Sequence, residues 1–193
     1  MDFRLKVFEM RSYSPIPFIV VMMFFAQPTV TSLIVGFLLS LAGEFIRFWG
    51  VSIAGSETRT TGAVGATHLV TDGPFGYVRN PLYVGNMMLY TGIGIMSNAL
   101  MPWLPVVALI YFIAQYTLIV SREEEHLRNA FGEEYARYCQ NVPKFLPRLS
   151  RYTGEHPFHR DPDFIRGIQS ERRSLQAFAL IVAVILVLYF VRG

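Results

Sequence analysis

The sequence predicts an all-α, polytopic membrane protein of about five transmembrane helices, arranged as two hairpins followed by a C-terminal span. Composition and charge distribution carry this reading. Of 193 residues, 52% are hydrophobic and 16% charged, whereas about a quarter of a soluble domain is charged. The charges are also segregated. Of 17 basic and 14 acidic residues, 19 fall between Arg122 and Arg173, and none between Ser12 and Gly43, Asn80 and Ser121, or Ser174 and Val191. Such a composition excludes intrinsic disorder. The net charge of +3 is no sign of nucleic-acid binding, because basic and acidic residues alternate in the polar segment. Membrane-surface basicity explains it. A single cysteine, Cys139, excludes an internal disulfide framework and a multi-cysteine zinc site.

A span needs roughly 20 apolar residues. Ile16 to Ala26 is apolar, Gln27-Pro28 interrupts it, and Thr29 to about Ala54 resumes with only Glu44 and Arg47 as charges. This predicts a helical hairpin turning near Pro28, with a short first arm because Pro15 and Pro17 prevent a straight earlier start. Leu82–Ser97 and Ala99–Val120 form a second hairpin turning at Ser97-Asn98, and Leu175–Val191 is a fifth run. Asp2 and Glu9 dilute any basic leader region and no small-residue cleavage site follows the first apolar run, so retention of the N-terminus is expected. Both hairpin turns lack charge, whereas the N-terminus, residues 55–80 and residues 121–173 carry the Lys and Arg. The positive-inside rule therefore places those three segments in the cytoplasm.

Three polar segments carry candidate chemistry on that side. Ser56–Asp72 holds Gly62, Gly65, Thr67 and His68. Its Gly-x-x-Gly fits a flexible loop or a weak phosphate-loop signal, and His68 is the available titratable base. The second segment, GPFGYVRNPLYVG (residues 73–85), has Pro81 at the first turn of the third span, where no N–H is needed. Arg79 and Asn80 then sit at a helix N-terminus, either as part of an ordinary cap or as an anion site. Tyr83 and Asn86 continue at three-residue spacing down one face. The third segment, SREEEHLRNAFG (residues 121–132), puts glutamates at a membrane boundary, where they need solvent or a cation. Glu124 and Arg128 are spaced for an i,i+4 ion pair. Phe131-Gly132 reads as a helix C-cap, and Glu133–Asn141 as a short amphipathic helix carrying Tyr135 and Tyr138 before Pro143 and Pro147.

Together, GPFGYVRNPLYVG and EEEHLRNAFGEEYARYCQNVPKFLP resemble the isoprenylcysteine carboxyl methyltransferase family and the related phospholipid methyltransferases. Their pattern is Arg-His-Pro-x-Tyr-x-Gly, a helical hairpin, Glu-Glu-x-x-Leu, Phe-Gly-x-Glu-Tyr and a Val-Pro-x-x-x-Pro tail. The resemblance covers about residues 67–149 within a core of 1–149, leaving 150–193 as a polar linker and C-terminal helix. It implies a membrane-embedded methyltransferase using S-adenosyl-L-methionine, without a Rossmann domain; no Gly-x-Gly-x-x-Gly follows a strand here. By matching position it implies a cofactor site drawn from Arg79, Pro81, Tyr83, Gly85, Glu123, Glu124 and Leu127; Asn80, at the motif's histidine position, and His68, the titratable neighbour, are expected to join it, with Arg79, Asn80, Tyr83 and Glu124 closest to the chemistry and no metal.

Glu123 or Glu124 is expected to hold the ribose hydroxyls or the ammonium group, and Arg79 the carboxylate of cofactor or substrate. Asn80 departs from the family by replacing histidine, and asparagine cannot titrate. The expected acceptor is a lipid-like or prenylated small molecule reached from membrane lipid, most simply through a carboxylate that needs no base, with an ethanolamine nitrogen as the alternative. An NADPH-dependent membrane reductase and a non-catalytic membrane scaffold are the readings from other classes. His156-x-x-His159-x-Asp161 looks faintly like a metal site, but zinc requires fixed geometry.

Overall fold

The computed structural model describes residues 3–55, 68–153 and 161–192; Ser56–Thr67, with Gly62 and Gly65, and His156 and His159 lie outside them. The described residues form α1 (Phe3–Met10), α2 (Pro15–Phe24), α3 (Val30–Ala54), a single 3-10 turn at Gly73–Gly76, α4 (Pro81–Ser97), α5 (Trp103–Asn141) and α6 (Phe164–Arg192), with no strand among them. Prolines set several of these boundaries. Pro15 begins α2, α1 and α2 meet at a 45° bend, and Pro81 begins α4. At the start of α3 the Thr29 and Ser32 backbone N–H groups donate to each other's hydroxyls, at 2.9 and 3.1 Å, a reciprocal cap of the helix N-terminus.

All five apolar runs are helical, but not all are long enough to count as spans. α3, α5 and α6 are long and apolar enough to cross a membrane, and α1 with α2 would make a fourth as one bent span. The 17 residues of α4 reach only about 26 Å at 1.5 Å per residue, because Pro81 and the turn at Asn98 bound it. The protein is thus a polytopic all-α membrane protein with three, or up to four, such spans.

Two compact units are built from these helices. One comprises Met1–Glu44, Gly85–Ile119 and Arg173–Gly193, around Met22, Leu89, Ile93, Met96, Ala99, Phe178 and Ile185. Within it α3 and α4 pack backbone to backbone. A Cβ on Gly43 would stand 2.5 Å from the Gly85 carbonyl oxygen, one on Gly36 would collide with the Gly92 oxygen, and one on Gly92 would collide with Ser40. Small residues on facing helices give this close approach. The two uncharged turns lie together, with Gln27 N–H donating to the Ser97 carbonyl at 3.0 Å and Asn98 Nδ2 to the Gln27 carbonyl at 2.9 Å. Arg192 reaches the same end and donates to the carbonyls of Phe24 and Ala26, both at 3.0 Å.

The other unit comprises Phe45–Val84 and Val120–Arg172, around Leu69, Tyr135, Tyr138 and Val142. The end of α3 braces the 3-10 turn: Trp49 and Ile53 face Gly73, whose φ of +57° suits glycine, and Gly50 faces Leu82 and Pro74. The start of α6 is fixed to the same stretch of α3 by Asp163 N–H donating to the Ser52 carbonyl at 2.9 Å, by Phe48 stacking on Phe164 and by the Arg47–Glu171 ion pair.

Candidate functional site

The site lies within this second unit and begins with a change of direction in α5. Gly132 adopts φ 49°, ψ −120°, so the expected helix stop occurs there, and a new helical arm carries Tyr135, Tyr138 and Cys139 under the segment before α4. Burial pushes both tyrosine hydroxyls well above their usual range, with the nearby Glu124 charge adding to it for Tyr135. They stay protonated, and the Tyr138 hydroxyl donates a hydrogen bond to the Phe75 carbonyl at 2.7 Å. The chain beyond Asn141 then runs back along the first motif. Arg79 N–H donates to the Pro143 carbonyl, Arg148 N–H to that of Tyr77 and Tyr152 N–H to that of Gly76, each at 2.9 Å.

This arrangement joins the two sequence motifs through charge. Arg79 Nη1 donates to the Cys139 carbonyl at 2.9 Å, and its Nη2 lies 3.0 Å from Glu124 Oε1. The other Glu124 oxygen is 2.8 Å from Lys144 Nζ. Asn80 Nδ2 donates to the Lys144 carbonyl at 3.2 Å, and the Tyr83 hydroxyl donates to Glu123 Oε1 at 2.8 Å. Glu124 is buried, which is why it meets the cations of α4's approach and the tail instead of the exposed Arg128 one turn along its own helix. The expected i,i+4 pair is replaced by a tertiary one.

Arg79, Asn80, Tyr83, Glu123 and Glu124 are therefore brought together. Pro81 is fully buried as the first residue of α4. Gly85 belongs to the first unit, where it forms the α3–α4 contact. Leu127 packs against the tyrosine cluster, and His68 is exposed on the segment leading into Leu69. Lys144 is the member that sequence reading missed. Its signal was present, as the only cation between Pro143 and Pro147 of the tail motif. Asp72, buried and paired with Arg151 at 2.6 Å, was also overlooked; it ties the turn before the first motif to the tail.

A helical membrane protein with a buried guanidinium and carboxylates joined just before its helix α4 is the class these features define. A family model for phospholipid methyltransferases matches residues 31–134, more than half of the chain, and the chain belongs to that family. It is similar to the cobalt-zinc-cadmium resistance protein CzcN of Cupriavidus metallidurans, 36% identical over 110 residues, covering 56% of this chain and 46% of that one. The protein-S-isoprenylcysteine O-methyltransferase of Homo sapiens is 32% identical over 120 residues, 59% of this chain and 40% of that one. The Delta(14)-sterol reductase LBR of Gallus gallus is 37% identical over 96 residues, 49% of this chain and 14% of that one. The chain thus spans less than half the length of these relatives. No solved structure matches it.

Proposed function

We propose that this protein is an integral membrane methyltransferase that uses S-adenosylmethionine to methylate an amphiphilic acceptor at the cytoplasmic membrane face, with carboxyl O-methylation of isoprenylcysteine type as the favoured reaction. The observation that carries the reading is the cluster of Arg79, Glu124 and Lys144 beside the Tyr83–Glu123 pair. Family membership and the similarity to isoprenylcysteine methyltransferases support it.

The residues fit the cofactor. Its methionine part carries an ammonium and a carboxylate, and the cluster offers both complements within a few residues. Arg79 Nε and Glu124 Oε1 are buried and make no hydrogen bond among the described residues, although Oε1 lies at ion-pair distance from Nη2. The Arg79 Nε donor, and the acceptor capacity that Glu124 Oε1 keeps beyond its ion pair with Nη2, are the groups that would meet a zwitterion. Bound there, S-adenosylmethionine supplies an electrophilic methyl group on sulfonium. Arg79 and Lys144 would hold a carboxylate, and Glu123 and Glu124 an ammonium or the ribose hydroxyls. Catalysis by this chain then consists of positioning and charge complementarity. Asn80, committed to the Lys144 carbonyl and unable to titrate, removes no proton. That favours a carboxylate acceptor, already ionised at neutral pH, over the ethanolamine nitrogen, which must first lose one.

Calorimetric titration of the detergent-purified protein with S-adenosylhomocysteine tests this reading. Binding that is lost in Glu124→Gln and Arg79→Gln would establish the cofactor site, and labelled methyl transfer to a farnesylcysteine or to phosphatidylethanolamine would separate the acceptors. A folded protein that binds no S-adenosylhomocysteine would overturn it. The similarity to the sterol reductase favours an NADPH-dependent reductase as the second reading, and a change in nicotinamide fluorescence on adding protein would reveal it.

A further inference from the structure

The segment after α5 has a second face that the site does not use. Residues 144–151, Lys-Phe-Leu-Pro-Arg-Leu-Ser-Arg, hold three basic residues and no acidic one. On one side this segment completes the cluster through Lys144. On the other it exposes Leu146 at 79% and Leu149 completely. Isolated exposed leucines on a loose tail would mean little. These are carried on backbone held to the first motif by the Arg79–Pro143, Arg148–Tyr77 and Tyr152–Gly76 hydrogen bonds, so their outward direction is built in.

The same bonds fix the depth at which the leucines stand. Pro143 and Lys144 are attached to Arg79 and Asn80, immediately before Pro81 opens the apolar helix α4. Arg148 is attached to Tyr77, whose ring lies 6.3 Å from that of Trp49 near the end of apolar α3. Trp and Tyr at the ends of apolar helices occupy the membrane–water interface. Arg148, between the two leucines in sequence, donates to the Asn141 carbonyl and Ser150 hydroxyl and meets no carboxylate in those bonds. Among the described residues its guanidinium meets no carboxylate, so its charge is open to an anion.

We propose that residues 144–151 form an interfacial membrane anchor, with Leu146 and Leu149 inserted among the lipid chains beneath the headgroups and Arg148 at the level of anionic phosphates. The occupant of this face is the lipid surface itself, to which two outward leucines flanking the Arg148 cation are suited, Lys144 and Arg151 being paired with Glu124 and Asp72. The anchor does not depend on the reaction catalysed. If it holds, the Arg79–Glu124–Lys144 cluster is set at the bilayer surface by the loop that completes it.

The test uses the full chain in phosphatidylcholine–phosphatidylglycerol nanodiscs. In a Cys139→Ser background, Leu149→Cys and Leu146→Cys carry a bimane label, with Glu134→Cys, on the exposed side of the polar arm, as the aqueous reference. Retained helical circular dichroism verifies folding. The expected result at 146 and 149 is strong quenching by lipid brominated near the headgroup and weak quenching by aqueous iodide. Their ratio should exceed that at 134 several-fold. Iodide quenching equal to that at 134 would place the loop in water and overturn the proposal. Protection from both quenchers would mean that protein covers the leucines, a second copy or another partner, and would overturn it as well.

Discussion

Replacing Glu124 by glutamine leaves Arg79 and Lys144 facing each other without the carboxylate between them. Breaking a buried ion pair from one side costs about 3–5 kcal/mol, and the partial exposure of Lys144, 31%, places the expected loss toward the lower end. Glu124→Gln should therefore lower the thermal midpoint in detergent as well as weaken S-adenosylhomocysteine binding. Tyr83→Phe is the milder counterpart. It deletes one hydrogen bond to Glu123, worth about 1 kcal/mol, so its melting should barely move; an equally large stability loss would show that Tyr83 is chiefly structural. The two substitutions separate the buried charge between Arg79 and Lys144 from the hydroxyl that donates to Glu123. Both residues were recognisable from their motifs. Lys144 was not, because a single lysine between prolines has no local pattern and gains its meaning only from the carboxylate 2.8 Å away.

At the scale of elements, the α3–α4 contact depends on glycine at matched two-turn spacing, Gly36 and Gly43 against Gly85 and Gly92. A methyl group on Gly36 would meet the backbone of Gly92 and Met96, which cannot move aside as a side chain can. Gly36→Ala is expected to destabilise by about 1–3 kcal/mol, the usual cost of overpacking, visible as a lower thermal midpoint; Gly132→Ala meets no atom within 4 Å but acquires strain from its φ of 49°. An unchanged midpoint for Gly36→Ala would mean that the two helices are not so closely apposed. Arg192 acts at a helix end: it supplies donors to the Phe24 and Ala26 carbonyls where α2 runs out of its own. Arg192→Ala should speed amide exchange around residues 21–26 while leaving α4 protected. Helix existence was legible from runs of apolar residues, and several ends from proline. The glycine seam was not, since glycines at such spacing occur in many apolar helices and only packing selects the ones that touch.

For the whole molecule, charge asymmetry makes a prediction about sidedness. Helix α5 is long and apolar enough to cross a membrane, so Asn98, before it, and the polar arm after Gly132 should face opposite sides of the membrane. In the Cys139→Ser background, Asn98→Cys should react with an impermeant maleimide in intact cells and Glu134→Cys only in inverted vesicles. Labelling of both from one side would contradict the span. The sequence alone determined the properties that composition and short-range geometry set: a helical membrane protein, charged residues gathered outside the apolar runs, chiefly at 121–173, and motif residues whose resemblance names the family. Those properties are local, because the bilayer selects apolar runs residue by residue and proline acts on its own turn. Only the tertiary structure decided that Glu124 pairs with Arg79 and Lys144 rather than Arg128, that Gly85 is a packing residue of α3 and α4, and that Leu146 and Leu149 point outward. Each of these depends on which distant residue occupies the facing position, and burial, not sequence spacing, determines which charge a carboxylate meets.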